Sequence, residues 1–340
     1  MGWMLSGALV LSFVMVDVVW TTLTTQGSGP LTTWITDGSR RLSNGLHRLS
    51  GGRAVMLPMG PLTIVTVGVL WLAALWLGWF LLFSAFPSEL VSGQTGRAAD
   101  TVERIYYVGF TLSTLGVGDY KPTSDITRLF TVFASFNGLV IVTLAITYAL
   151  PLVQGAVHRR KLAFTISLLG KTPLDIVKRA TDADNRQSFE STLQTVANDL
   201  IQSSEQRLAY PVLDLFYCRH RRYSLGLQVA KLDEALSLLA FGLKPGARLQ
   251  LNAISDLQEV IKQYLYRVES RVCKLDSETP PVEPSPKYCD GCQLPLLNTK
   301  ELEENFKCMR NRRMHLLQLV HSERWNWNDV EGRALDDKMR

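Results

Sequence analysis

Three stretches of this chain are too apolar and too long to rest in water. No Asp, Glu, Lys or Arg occurs between Arg53 and Glu89 or between Arg128 and Arg159, and a third apolar run fills the first 25 residues, broken only by Asp17. The hydrocarbon core of a bilayer is about 30 Å thick and takes roughly 20 mostly apolar residues per helix. Each run is long enough, and the pattern predicts transmembrane helices over about Trp3–Thr24, Pro61–Phe83 and Leu129–Pro151. Averages hide this. The 340 residues are 46% hydrophobic and 20% charged, with a mean hydropathy of +0.07, because most of the charge lies beyond His158. A purely soluble enzyme is excluded.

Net charge is +1 through Val157 and +4 beyond it. Neither half carries the concentrated basic stripe of a nucleic-acid binder. The cysteines (Cys218, Cys273, Cys289, Cys292 and Cys308) all lie in the polar half, which fits a reducing compartment and no disulfide framework. The N-terminus lacks a positive n-region and a small-x-small cleavage site, so it reads as a span and not as a cleaved signal.

The loop between the first two spans holds Arg40, Arg41, Arg48 and Arg53 against a lone Asp37, and the third span is followed by His158-Arg159-Arg160-Lys161. The segment between the second and third spans mixes both signs. The positive-inside bias therefore places the first loop and the C-terminal half in the cytoplasm and the N-terminus outside, in a multi-pass protein of the cell (inner) membrane. No span repeats Arg or Lys at every third position, so a voltage sensor of the usual kind is absent. Asp17 has two readings: an intramembrane acid is a functional candidate, or it simply lies near the interface or pairs with a neighbouring helix.

Between the second and third spans runs Thr111-Leu112-Ser113-Thr114-Leu115-Gly116-Val117-Gly118-Asp119-Tyr120. This resembles the selectivity filter of potassium channels, whose pattern is Thr-x-Gly-(aromatic or aliphatic)-Gly-Asp. The resemblance implies that the carbonyls of Thr114, Leu115, Gly116 and Val117, with the Thr114 hydroxyl, replace the water around a dehydrated K⁺, the transported ion. Such carbonyls must face one axis, which needs alternating unusual backbone angles, and Gly116 and Gly118 reach these without steric cost. Asp119 flanks the filter. Upstream, Asp100 to Ser113 reads as a short helix with Asp100 as N-cap and Glu103 in the first turn. Its C-terminal end would favour a cation.

In the resembling channels an aromatic pair eight and seven residues before the filter threonine braces the filter, and Tyr106 and Tyr107 occupy those places. Two positions depart from the family pattern: Val117 replaces the commoner Tyr or Phe, and Phe110 stands where some members carry a glutamate. The third span would line the pore. Its Gly138, 20 residues beyond Gly118, is either a hinge of the kind the family often has or a site of close helix packing. Asn137 either faces the cavity or bonds between helices. Pro151, near where a gate would lie, kinks the helix or ends it. One chain supplies one filter loop, so the expectation is a homotetramer of cyclic symmetry in the lipid bilayer.

Residues 161–275 read as helical, with Leu193, Val196, Leu200 and Ile201, Leu232, Ala235, Leu236 and Leu239, and Leu257, Ile261, Leu265 and Val268 at helical spacing. Breaks fall at Gly170–Pro173, Pro211 and Lys244–Gly246. No Gly-x-Gly-x-x-Gly follows a strand pattern, against a nucleotide-binding regulatory domain. The pieces Leu169-Gly170-Lys171-Thr172-Pro173-Leu174-Asp175, Leu208-Ala209-Tyr210-Pro211-Val212-Leu213 and Leu232-Asp233-Glu234-Ala235-Leu236, with Asp17 and Thr21-Thr22 in front, are similar to a group of bacterial potassium channel family proteins with the same three-span front end. That resemblance spans most of residues 1–270 and assigns the cytoplasmic part no ligand; an unidentified cytoplasmic ligand or partner stays open.

Asp276 to Lys287 is a Pro-, Ser- and Glu-rich linker. Beyond it, Cys289, Cys292, Cys308 and His315 form a set that holds zinc or, as the favoured reading, a plain pair of reduced cysteines with no metal. Arg310, Arg312 and Arg313, with Trp325 and Trp327, touch anionic lipid or form a solvated surface.

The expected protein is thus an all-α membrane protein that catalyses no bond chemistry. Residues 1–25 form a peripheral span and 26–60 a cytoplasmic loop. Residues 61–157 form the pore domain, 158–275 a helical cytoplasmic domain and 276–340 a linker and tail. Its function is expected to be potassium-selective conduction. The alternatives are a weakly selective cation channel, kept open by Val117, an ion-transporter subunit, against which the single two-glycine loop argues, and a membrane sensor or scaffold with a vestigial pore.

Overall fold

The computed structural model describes residues 1–25, 27–50, 53–244, 252–269, 294 and 297–332. The protein is mainly helical, and three helices are long and apolar enough to cross a membrane: Gly2–Leu23, Arg53–Ser84 and Asp125–Ser167. It divides into two compact units. The first comprises Met1–Gly51, Pro58–Gln154 and Ala209–Phe216; the second comprises Gly52–Leu57, Gly155–Leu208 and Tyr217–Arg340.

In the first unit, α1 (Gly2–Leu23) packs along α3 (Met59–Ser84). They approach closely at Gly7, where an added Cβ would lie 2.8 Å from the Gly78 carbonyl oxygen, and at Gly78, where one would lie 2.7 Å from the Leu11 side chain. Without a hydrophobic drive between helices in lipid, such small-residue contacts supply the packing.

The segment read as a cytoplasmic loop contains a helix, α2 (Pro30–Ser50). Pro30 suits a first helical position, where a missing N–H costs nothing. The buried side of α2 is built partly of Thr32, Thr36 and Ser43, all buried beside Ile35.

Its N-terminal cap comes from another helix. The Asp17 carboxylate of α1 accepts from the Leu31 amide (2.7 Å), the Thr32 hydroxyl (2.9 Å) and the Trp71 indole N–H of α3 (2.9 Å). Thr21 accepts from the Gly29 amide at 2.9 Å and donates to Thr32. Asp17 is fully buried. Of its two readings, pairing with neighbouring helices is the one observed: a carboxylate at the positive end of a helix satisfies donors that lipid would leave bare.

After α3 comes a two-stranded antiparallel ribbon, β1 (Leu90–Ser92) with β2 (Tyr120–Pro122), in the register Leu90↔Pro122 and Ser92↔Tyr120. The short helix α4 (Thr101–Leu112) lies between its strands in the chain. Then α5 (Asp125–Ser167) runs for 43 residues, about 65 Å at 1.5 Å per residue, twice a hydrocarbon core. It does not end near Pro151. The proline sits inside the helix, where its missing N–H leaves the Thr147 carbonyl without a helical partner.

The second unit is a helical bundle of α6 (Pro173–Thr181), α7 (Arg186–Ala209), α8 (Leu225–Ser237), α9 (Asn252–Glu269), α10 (Thr299–Lys307), α11 (Arg310–Ser322) and α12 (Trp327–Val330). The breaks at Gly170–Pro173, Pro211 and Lys244 fall between helices, as expected. Helix α8 is the axis, with every residue from Leu225 to Ser237 buried. Leu232, Ala235, Leu236 and Leu239 form core with Leu193, Val196, Leu200, Leu257, Ile261 and Leu265. Ile201 instead faces out, 47% exposed.

The charges on α8 are all bonded. Lys231 donates to the Gly170 carbonyl (2.7 Å), Asp233 takes a two-pronged pair from Arg312, and Glu234 pairs with Arg313 at 2.8 Å. This corrects both readings of the tail, the solvated surface as well as the lipid-facing one, for all of its named residues but Arg310, which is exposed. Arg312 and Arg313 point into the bundle, and Trp325 and Trp327 are each only 8% exposed, because two carboxylates on a buried helix need cations more than lipid does.

Candidate functional site

The site begins with a helix whose start is firmly capped. Asp100 caps α4 in a reciprocal box: the Glu103 amide donates to Asp100 at 2.9 Å and the Asp100 amide to Glu103 at 2.6 Å. The Tyr120 hydroxyl bonds Glu103, holding its carboxyl below the usual range, with the Asp100 amide and Arg97 adding to the effect. The same bond is the main reason the Tyr120 phenol is pushed up to about 12. The start of α4 is thereby tied to β2.

Inside, the Tyr107 ring is 1% exposed and meets Phe83 edge-on at 5.2 Å, while its hydroxyl reaches Thr131 of α5 at 2.5 Å. Tyr106 is 43% exposed. Its ring meets Phe110 at 5.2 Å and Tyr120 at 6.2 Å, and its hydroxyl lies within bonding range of Asp119. The two tyrosines thus divide the bracing: Tyr107 fixes α4 to the helices behind it, and Tyr106 faces the far end of the loop.

The loop leaves α4 through tight bonds from the Leu115 amide to the Phe110 carbonyl (2.9 Å) and from the Thr114 amide to Thr111 (3.1 Å). Beyond them the backbone alternates. Thr114, Gly116 and Gly118 have φ of 58°, 59° and 81°, while Leu115 and Val117 between them do not enter the positive region. Left-handed residues at every second position turn successive peptide units so that their carbonyls share a side. Only glycine does this freely, and Thr114 is one of just two non-glycine residues at positive φ among those described.

The loop then anchors to the ribbon, the Gly93 amide donating to the Asp119 carbonyl at 2.7 Å. Between these anchors, residues 113–118 are all exposed in the single chain, with Leu115 71% and Val117 49% exposed.

Gly138 of α5 backs the end of α4. A Cβ there would lie 2.0 Å from the Leu112 carbonyl oxygen, so the helix packs closely against the end of α4 at this residue. Asn137 is half-buried beside it. Cys289 and Cys292 lie outside the described residues; Cys308 is exposed, His315 is half-buried, and no group of three or more His, Cys, Asp or Glu gathers to hold a metal among the described residues.

Sequence reasoning missed Trp76, whose indole N–H donates to the Ile105 carbonyl at 3.0 Å, and Trp71, which serves Asp17. A signal was present: lipid offers an indole N–H no acceptor, so a tryptophan inside an apolar span gains from a protein partner.

Residues 63–154 match the model of an ion channel family. The chain is also 28% identical over 328 residues to an uncharacterized membrane protein, YdjJ, of Bacillus subtilis (strain 168), covering 96% of this chain and 95% of that one. No solved structure matches. The matched family region holds most of α3, all of α4, the loop and α5 as far as Gln154. The chain is therefore a multi-pass membrane protein with an ion channel domain.

Proposed function

We propose that four copies of this chain surround one axis with residues 114–118 and pass dehydrated K⁺ down its gradient. The observation that carries this is the alternation of φ at Thr114, Gly116 and Gly118 on a loop whose residues 113–118 stand exposed. Bare backbone at membrane depth needs partners. Four such loops facing one another enclose a file of carbonyls from Thr114, Leu115, Gly116 and Val117, with the Thr114 hydroxyl below. An alkali ion is the partner that such oxygens take. The C-terminal end of α4 adds a partial negative charge near its base. The exposed face of α5, with Phe133, Phe136 and Leu139 each more than half exposed, supplies apolar surface for neighbouring copies and lipid. The arginine bias supports an orientation with α2 and the bundle on the cytoplasmic side of a cell membrane.

A second reading, a weakly selective cation channel, is favoured by one observation: Val117 offers no ring to brace its carbonyl against the surrounding helices, and its side chain is half exposed. Reversal potentials of the purified protein in planar bilayers with mixed K⁺ and Na⁺ separate the two. The first reading expects a reversal close to the potassium potential. A reversal near zero under opposed K⁺ and Na⁺ gradients selects the second, and no current from correctly folded protein removes both.

A further inference from the structure

Two stretches far apart in the chain meet on one aromatic side chain of the second unit. The Arg160 guanidinium of α5 lies over the Tyr223 ring at 5.1 Å, and Phe164, one turn on, stacks with the same ring at 5.7 Å. Tyr223 ends the stretch Tyr217-Cys218-Arg219-His220-Arg221-Arg222-Tyr223. Each stretch uses one arginine internally: Arg159 pairs with Glu323 at 3.2 Å and Arg221 with Asp329 at 2.7 Å. The nearby carboxylates are thus occupied. Arg160, Lys161, Arg219 and Arg222 remain exposed and, among the described residues, have no acidic partner.

Chain continuity places these four beside the membrane. Arg160 is three residues past Val157, the last residue of the apolar run. Tyr217 follows Phe216 directly, and in the first unit the Phe216 ring sits against Gly60, in the first turn of α3, where an added Cβ would come within 2.7 Å of it. The orientation rule explains basic residues just after a span, at Arg160 and Lys161. It does not explain why residues some sixty positions later fold back to join them.

We propose that Arg160, Lys161, Arg219 and Arg222, gathered around Tyr223, form a binding surface for anionic phospholipid headgroups of the adjacent leaflet. Clustered cations beside a span attract such lipids with a gain of about fivefold per side chain. Exposed guanidinium groups match phosphate oxygens two at a time. The proposal rests on the membrane reading of α5 and not on which ion the pore passes, and its readout is lipid retention, independent of current.

The test is native mass spectrometry of the full chain in detergent with equal parts phosphatidylglycerol and phosphatidylcholine. The wild-type chain is expected to keep phosphatidylglycerol in preference. The variant R160Q/K161Q/R219Q/R222Q is expected to lose that preference by at least about tenfold, while R160K/R219K/R222K keeps most of it. A control of equal charge change on other exposed residues, K171Q/K178Q/R186Q/K307Q, is expected to leave it intact. Retained preference in the first variant, equal loss in the control, or displacement of the lipid by inorganic phosphate alone would overturn the proposal. Should the quadruple variant fail to fold, judged by its circular dichroism, the pair R160Q/R222Q with the lysine variant decides.

Discussion

Replacing Asp17 by alanine removes the acceptor of three short bonds, from the Leu31 amide, the Thr32 hydroxyl and the Trp71 indole, and of a longer one from the Thr32 amide. The hydroxyl can turn to another acceptor. The amide and the indole cannot, and a buried unsatisfied donor costs about 1–3 kcal/mol. Loss of the carboxylate from the helix N-terminus adds about 0.3–1 kcal/mol. Against this stands relief from burying the carboxylate, a penalty of several kcal/mol in an apolar setting. Three short bonds offset most of that penalty in the native chain, so the donor losses decide the sign, and Asp17→Ala is expected to destabilise the first unit by about 3 kcal/mol. Asp17→Asn keeps one acceptor but turns an N–H₂ group toward a donor, so it falls between alanine and wild type. The assay is denaturant unfolding of the full chain in micelles, with amide exchange read at residues 31 and 32. A coupling of at least about 1 kcal/mol between Asp17→Ala and Trp71→Phe is expected from their shared bond. An alanine variant within about 0.5 kcal/mol of wild type, or unchanged exchange at the start of α2, would refute the reasoning.

Gly138→Ala forces a methyl against the Leu112 carbonyl and is expected to abolish current by shifting the base of the loop; wild-type conductance would count against it. Pro151→Ala restores an amide for the Thr147 carbonyl, stiffening α5 below Gly138, and single-channel records are expected to show a lower open probability. Burial, opposed by Arg313, pushes the Glu234 carboxyl up to about 7. The folded state then binds the proton more tightly than the unfolded one, so this group's contribution to stability falls as pH rises from about 4.5 to 7. Glu234→Gln is expected to flatten the thermal-unfolding profile in that window. Arg159 and Ser224 both bond the Glu323 carboxylate, while Arg53 donates to its carbonyl and stacks on Trp325. Glu323→Ala is therefore expected to cost about 2–4 kcal/mol in full-chain unfolding, with the double variant Arg159→Ala/Glu323→Ala costing less than the sum.

The apolar spans were legible because bilayer thickness writes itself as length. Helix α4 was legible because its start signal, Asp100 with Glu103, is local and its geometry is the expected box. Helix α2 was not, for the opposite reason. Its cap is Asp17, 13 residues upstream on another helix, and its buried stripe is half hydroxyl. The tail failed similarly: Arg312 and Arg313 look like surface charge until Asp233 and Glu234, 79 residues away, are found buried opposite them. What sequence cannot express is a partner supplied from a distance.

The candidate site shows the same division within a few residues. Glycines at positions 116 and 118 announce left-handed backbone, but the third such position is Thr114, at φ 58°, which no propensity would nominate. Gly138 is open to two readings in the sequence, and the structure adds its close contact with Leu112. That contact also restricts where α5 can bend. A hinge at Gly138 would pull the helix away from the end of α4 and loosen the loop it supports, so movement that spares the loop must begin further along. The next defect in the hydrogen-bond ladder is the unpaired Thr147 carbonyl opposite Pro151, two to three turns on. A gate that opens there leaves the tie from Tyr107 to Thr131 and the packing of Gly138 undisturbed.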